Sequence, residues 1–202
     1  MKKWIALEII SLSLFLALPV FSATVGEPAP NFSMKDTNGN LQSISQYKGK
    51  YVVLEWLNHE CPFIKKHYNS KNMQGLQKKH TEKGVIWLSI ISSAPGKQGH
   101  VTPKEANQLT QEKSAHPTAV ILDESGKIGH LYGAKTTPHM FVINPDGVLI
   151  YNGAIDDKPS IWEKSVKSAK NYISLALEED MAKKPLTVSS SKPYGCSVKY
   201  KN

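Results

Sequence analysis

Two segments, residues 51–57 and 85–91, are apolar on both faces, and the stretch between them has helical character. Only Glu55 interrupts the first run and only Ser89 the second. A strand that is apolar on both sides must be covered on both sides, which is the pattern of a central strand in a sheet layered by helices. Pro62 suits the first position of a helix and Gly84 its end, so a single crossover helix from 62 to about 82 is expected. Strand, crossover helix and strand together imply parallel pairing.

The remaining elements extend this unit. Residues 32–36 and 41–44 flank a turn at Thr37-Asn38-Gly39-Asn40, a hairpin signal. Pro103 opens a second helix to about residue 113, 118–122 reads as a short strand, and 124–132 as a short helix. Residues 139–143 and 148–152 form a hairpin around Asn144-Pro145-Asp146-Gly147. A long amphipathic helix is expected over 160–181, then a polar tail over 183–202. Trp56, Trp87, Trp162 and Phe141 fall in apolar strands or on a helix face and read as core. The expected fold is a single α/β domain: a mixed central sheet flanked by helices, with an N-terminal β-hairpin and a C-terminal tail.

The 202 residues suffice for one domain with a full core. All 25 basic residues are lysine. Without arginine, bidentate readout of phosphate or bases loses its main instrument, so nucleic acid is not an expected partner despite the net charge of +8. Lys2 and Lys3, an apolar run over 9–18, Pro19 and the small residues Ser22 and Ala23 follow the order of a secretory signal, expected over 1–23. That run is too short to span a bilayer, and no later segment is apolar enough, so the mature chain is expected to be periplasmic or secreted and not membrane-embedded. Domain and tail then occupy 24–182 and 183–202.

Both cysteines, Cys61 and Cys196, lie in the part expected to be exported, where a disulfide can persist. Cys61-Pro62 sits between a buried strand and a helix. The orphan N–H groups of a helix N-terminus stabilise a thiolate there, and Lys65 on the same face is expected to help while Glu60 opposes. Glu55, in an apolar central strand, is expected to be desolvated with a raised pKa, a candidate acid/base near neutral pH. Cys61 with His59, His67 and His139 offers a different chemistry, a soft copper or zinc site, although the spacing fits no standard metal motif. The loop 92–102 lacks the ending of a phosphate loop but follows a parallel strand's carboxyl end, where α/β sheets bind ligands.

Residues 24–170 resemble the thioredoxin superfamily, and within it the redoxin branch. The resemblance is carried by Pro28-Ala29-Pro30-Asn31-Phe32 with Asp36 and Gly39, by Tyr47-Lys48-Gly49-Lys50, by Cys61-Pro62, by Thr137-Pro138 ahead of a strand, and by Tyr151-Asn152-Gly153 ahead of Asp156. It implies a thioredoxin-like fold, a cis bond at Thr137–Pro138, a nucleophilic Cys61, and a thiol, disulfide or peroxide substrate bordered by Asn58, Pro62, Thr137 and Pro138. Glu55 matches the offset at which thioredoxins carry a proton-shuttling carboxylate. No cofactor is implied. The departures are specific. Ile64 stands where thioredoxins place a second cysteine, Asn58 where peroxiredoxins place a threonine, and no arginine is available to hold a peroxide. With no local partner, Cys196 becomes the candidate resolving thiol, a role with precedent among peroxiredoxins. The alternatives are a structural Cys61–Cys196 staple, pairing between chains, or a free thiol. The three resulting functions are an oxidoreductase using Cys61, Cys196 and Glu55, a copper carrier using Cys61 and histidines, and a non-catalytic module with a structural bridge.

Overall fold

The computed structural model describes residues 23–201. The expected signal segment lies, but for Ala23, outside the described residues. Five strands form the central sheet in the order β5 (Ala119–Leu122), β4 (Ile86–Ile91), β3 (Val52–Trp56), β7 (Met140–Ile143), β8 (Leu149–Gly153). The pairs β3–β4 and β4–β5 are parallel, whereas β7 runs antiparallel to both β3 and β8. β3 and β4 are buried along their whole length, as two-sided apolar strands require. The expected N-terminal hairpin is present as β1 (Ser33–Lys35) and β2 (Leu41–Ser43).

Side chains alternate along β3. Val52, Leu54 and Trp56 join the core beneath β1, β2 and helix α4 (Lys127–Tyr132), while Val53 and Leu57 join the core beneath α1 (Pro62–Asn69), α2 (Asn72–Thr81), α3 (Pro103–Glu112) and α5 (Tyr172–Met181). Glu55 shares the face of Val53 and Leu57, so an acid is threaded into the second core. Among the described residues, no helix is long and apolar enough to cross a membrane.

Three expectations require correction. The single helix over 62–82 is two helices, broken where Lys71 adopts a left-handed φ of 60°. Asn69 and Ser70 compete locally for backbone groups, which weakens the helix there. The helix over 160–181 is a short 3-10 turn, Glu163–Ser168, followed by an extended Ala169 and then α5, whose N-terminus is capped by the Asn171 side chain accepting from the Ser174 N–H at 2.8 Å. With the helical face lost, Trp162 is not core: it is 66% exposed.

The tail after α5 lies down on the domain. Its strand β9 (Cys196–Ser197) pairs antiparallel with β6 (Thr136–Thr137), with Cys196 opposite Thr137. Glycines make these approaches possible. A side chain at Gly195, whose φ is 146°, would collide with the Thr137 carbonyl, and one at Gly129 would collide with the ring of Tyr200.

Candidate active site

Cys61 caps the N-terminus of α1 in an extended conformation, with Pro62 exposed at the first helical position. The turn before it is tied by Asn58. Its carbonyl accepts from the Cys61 N–H at 3.1 Å, its Oδ1 accepts from the Glu60 N–H at 2.9 Å, and its amide donates to the Gln98 carbonyl in the loop after β4. Asn58 is buried, so its side chain fastens two loops together. The Thr137–Pro138 bond is cis. The Cys61 thiol donates to the Thr137 carbonyl at 3.0 Å and is fully buried.

Cys196 covers that thiol from the other side. The two cysteines are free thiols in this structure, and their sulfurs are hydrogen-bonded to one another. Burial alone would push the Cys61 thiol up. Hydrogen bonds from Cys196, from the Thr137 side chain facing the sulfur, and from the Ile64 and Cys196 N–H groups outweigh burial and hold it below the ordinary cysteine range. With Cys61 in its thiol form the Thr137 hydroxyl is buried and has no hydrogen-bond partner, so it is a donor held ready for a thiolate. Cys196 moves the other way. Burial, then the hydrogen bond and charge of Cys61, push it up to about 11. The pair is thus polarised, with Cys61 the better anion and leaving group.

Lys65 has no part in this. It is exposed, and the lysine turned inward is its neighbour Lys66. Lys66 Nζ donates to the Lys158 carbonyl at 2.8 Å and lies 3.8 Å from Asp156 Oδ2, both side chains fully buried. The sequence reading passed over Lys66, because one apolar neighbour more or less decides which of two adjacent lysines a short helix buries.

Glu55 is fully buried, as expected, in a cage of four donors. Tyr68 donates to Oε1 at 2.9 Å, and Gln77, Trp87 and Ser89 donate to Oε2 at 3.0, 2.8 and 3.0 Å. Burial raises its pKa, and these four hydrogen bonds only partly offset the rise. Cys61 is not among its partners. The link is through α1, which carries Cys61 at its start and Tyr68 two turns on.

The histidines do not gather around Cys61. His67 bonds Asn72 and Tyr194, His139 bonds the Lys135 N–H and Asn152, and His59 packs its ring against Tyr68. Burial, the first cause in each case, lowers them to about 3, 4 and 4, respectively. Among the described residues, no three His, Cys, Asp or Glu side chains converge into a metal site. Next to the thiols, a cleft of about 540 Å³ runs along Thr136, Asp156, Tyr172, Pro193, Tyr194 and Gly195.

Comparison with known proteins places this geometry. Residues 25–152 match the sequence pattern of the AhpC/TSA family. The thiol-disulfide oxidoreductase ResA of Bacillus thuringiensis subsp. konkukian is 29% identical over 126 residues, 62% of this chain and 67% of that protein. The thiol:disulfide interchange protein DsbE of Escherichia coli is 25% identical over 159 residues, 72% of this chain and 74% of that protein. An uncharacterized conserved protein from Geobacillus kaustophilus superposes with a TM-score of 0.74 at 24% identity, covering 89% of this chain and 93% of its own. The thioredoxin domain of a thiol-disulfide oxidoreductase from Bacteroides vulgatus gives 0.52 at 18% identity, covering 73% and 98%. The fold is thioredoxin-like.

Proposed function

The chain belongs to the AhpC/TSA family, and on that footing we propose that it is an exported thiol–disulfide oxidoreductase in which Cys61 attacks and Cys196 resolves. One observation carries the reading: β9 sets Cys196 opposite Thr137, with its thiol hydrogen-bonded to a Cys61 thiol of lowered pKa. The Cys61 thiolate attacks one sulfur of a substrate disulfide, forming a mixed disulfide and releasing the first substrate thiolate, which takes up a proton. The Cys196 thiolate then attacks the Cys61 sulfur. That step expels the second substrate thiol and leaves a Cys61–Cys196 disulfide, so two electrons have passed to the substrate. An external dithiol restores the pair.

A disulfide substrate is favoured over a peroxide because the chain has no arginine and carries Asn58, already committed to two loops, where a peroxidase threonine would stand. Glu55 serves as the buried acid of the site. It holds a proton more readily than a free carboxyl and gives it up as the charge at Cys61 changes. Thr137 and Pro138 border the substrate once β9 has lifted, since β9 covers Cys61 in this closed form. The signal-like N-terminus supports export to the periplasm or beyond, with the mature domain over 24–182 and the tail over 183–202.

The test is oxidation of the purified protein followed by mass mapping and turnover of a disulfide substrate. The expected products are an intramolecular Cys61–Cys196 bridge, no turnover for Cys61→Ser, and an accumulating mixed disulfide at Cys61 for Cys196→Ser. Unchanged turnover in Cys196→Ser would show that Cys61 works without a resolving partner in this chain.

A further inference from the structure

We propose that Lys66, His67 and Asp156 form a latch that grips the hydroxyl of Tyr194 and thereby sets Cys196 against Cys61. The inference rests on the exchange reading above and adds residues to it. Tyr194 stands two positions before Cys196, and Asp156 and the tail both lie beyond the family-matched segment 25–152.

The hydrogen bonds around Tyr194 run in one direction. The Asn72 amide lies 2.9 Å from His67 Nδ1, and an amide nitrogen can only donate. A neutral His67 therefore carries its proton on Nε2, 3.2 Å from the Tyr194 hydroxyl oxygen, and donates to it. Lys66 Nζ adds a longer donor contact at 3.4 Å. The tyrosine, accepting from both, spends its own proton on Asp156 Oδ1. Its ring packs at 5.7 Å on Phe63, and the Lys66 ammonium sits 5.3 Å from the ring centroid.

The latch has its grip on the right element. Lys66 and His67 belong to α1, the helix that begins at Cys61, while Tyr194 belongs to the segment that becomes β9. Besides the thiol contact itself, Tyr194 therefore bonds the tail directly to the helix carrying the attacking thiol. Beyond Cys196, the Tyr200 hydroxyl donates to the Ala134 carbonyl at 2.8 Å, so the resolving cysteine is suspended between two tyrosine anchors. The closed latch is also incompletely satisfied. Asp156 Oδ2 is buried with Lys66 at 3.8 Å and no hydrogen bond, so opening forfeits less than a full set of bonds. That suits a tail that must lift for substrate and return for resolution.

The experiment is Tyr194→Phe in the full chain, which keeps the ring and removes the hydroxyl. In the reduced protein, labelling of Cys61 by a bulky maleimide, followed site by site by mass spectrometry, should quicken about tenfold, the factor corresponding to losing a hydrogen bond to a charged group. Formation of the Cys61–Cys196 bridge by a small disulfide oxidant should slow in step. Asn72→Ala, which cuts the chain at its far end, should move both readouts the same way by less, and it keeps the test alive if Tyr194→Phe folds poorly. A folded Tyr194→Phe protein that labels Cys61 at the wild-type rate overturns the latch, even if its melting temperature has dropped. A wild-type chain that never forms the bridge overturns the exchange reading itself.

Discussion

Helix α1 separates two buried polar clusters that are built on opposite principles. On one side Tyr68 helps enclose Glu55, an acid with four neutral donors and no cation. On the other, Lys66 and His67, the two residues before it, meet Asp156 and Tyr194. Everything around Glu55 comes from β3, β4, α1 and α2, inside the segment shared with the family. The second cluster is completed only by residues beyond that segment. The contrast teaches where the general ends and the particular begins. The body supplies a thiol at a helix start with a desolvated acid beneath it, and the tail supplies the second sulfur with its own means of attachment.

The contrast is broken most severely at Asp156. Asp156→Ala leaves Lys66 buried without its ion-pair partner, and removing one partner of a buried pair typically costs about 3–5 kcal/mol. Asp156→Asn keeps an acceptor for Tyr194 and should cost less. On the Glu55 side, Ser89→Ala removes one donor of four and should cost about 1 kcal/mol. Urea unfolding of the three variants makes the comparison. Equal losses for Asp156→Ala and Ser89→Ala would mean that the two clusters carry their charges alike.

Acid separates the clusters by sign. His67 falls from 6.5 to about 3 on folding, because burial and then Lys66 oppose its charge. Between these values the unfolded chain binds a proton that the folded chain refuses. The stability contributed by neutral His67 is present above pH 6.5 and lost as pH falls toward 3. Glu55 is raised by burial above 4.5, so the folded chain binds the extra proton, and its contribution grows as pH falls through that raised value. His59, His80 and His139, each lowered to about 4, side with His67, so acid weakens the protein as a whole. His67→Gln should flatten the dependence of stability on pH by about 1.4 kcal/mol per pH unit within the His67 window. An unchanged slope would mean that His67 is already charged in the fold.

How much of this was legible in the sequence follows the same division. The βαβ centre, the terminal hairpin and the buried Glu55 were readable because two-sided apolar strands leave few alternatives, and the thioredoxin-like fold was implied by the resemblance that motifs such as Thr137-Pro138 carry. Cys61 at a helix start was readable for the same local reason. The breaks at Lys71 and after Trp162 were not. Helical periodicity survives on both sides of each, and the interruption is decided by Asn69, Ser70 and the Asn171 cap, whose preferences are small beside packing. Nor was the cage around Glu55, since Tyr68, Gln77, Trp87 and Ser89 meet only after three elements have packed. The Tyr194 cluster joins residues more than 120 positions apart along the chain, and nothing local announces it. Its one visible trace is the run Pro193-Tyr194-Gly195-Cys196, in which Gly195 is the residue that can pass beneath the Thr137 carbonyl.

The smallest effect is expected at Lys65, and it tests what makes Cys61 acidic. The helix-face argument made Lys65 a cation for the thiolate. The fold instead exposes Lys65 and surrounds the sulfur with donors from Cys196, Thr137 and Ile64. An exposed ammonium acts through water and is screened by salt over about 10 Å at ordinary ionic strength, whereas buried donors act at contact. Lys65→Gln should therefore change the alkylation rate of Cys61 by less than about twofold, with the same bell or sigmoid against pH as the wild type, and raising the salt should not alter the comparison. Thr137→Val, which removes a buried donor available to the thiolate and keeps the shape, should slow alkylation more than Lys65→Gln does, because a buried thiolate loses a partner. If Lys65→Gln proved the more damaging of the two, the acidity of Cys61 would arise from long-range charge, and the tail's own N–H and thiol would lose their part in activating the residue they cover.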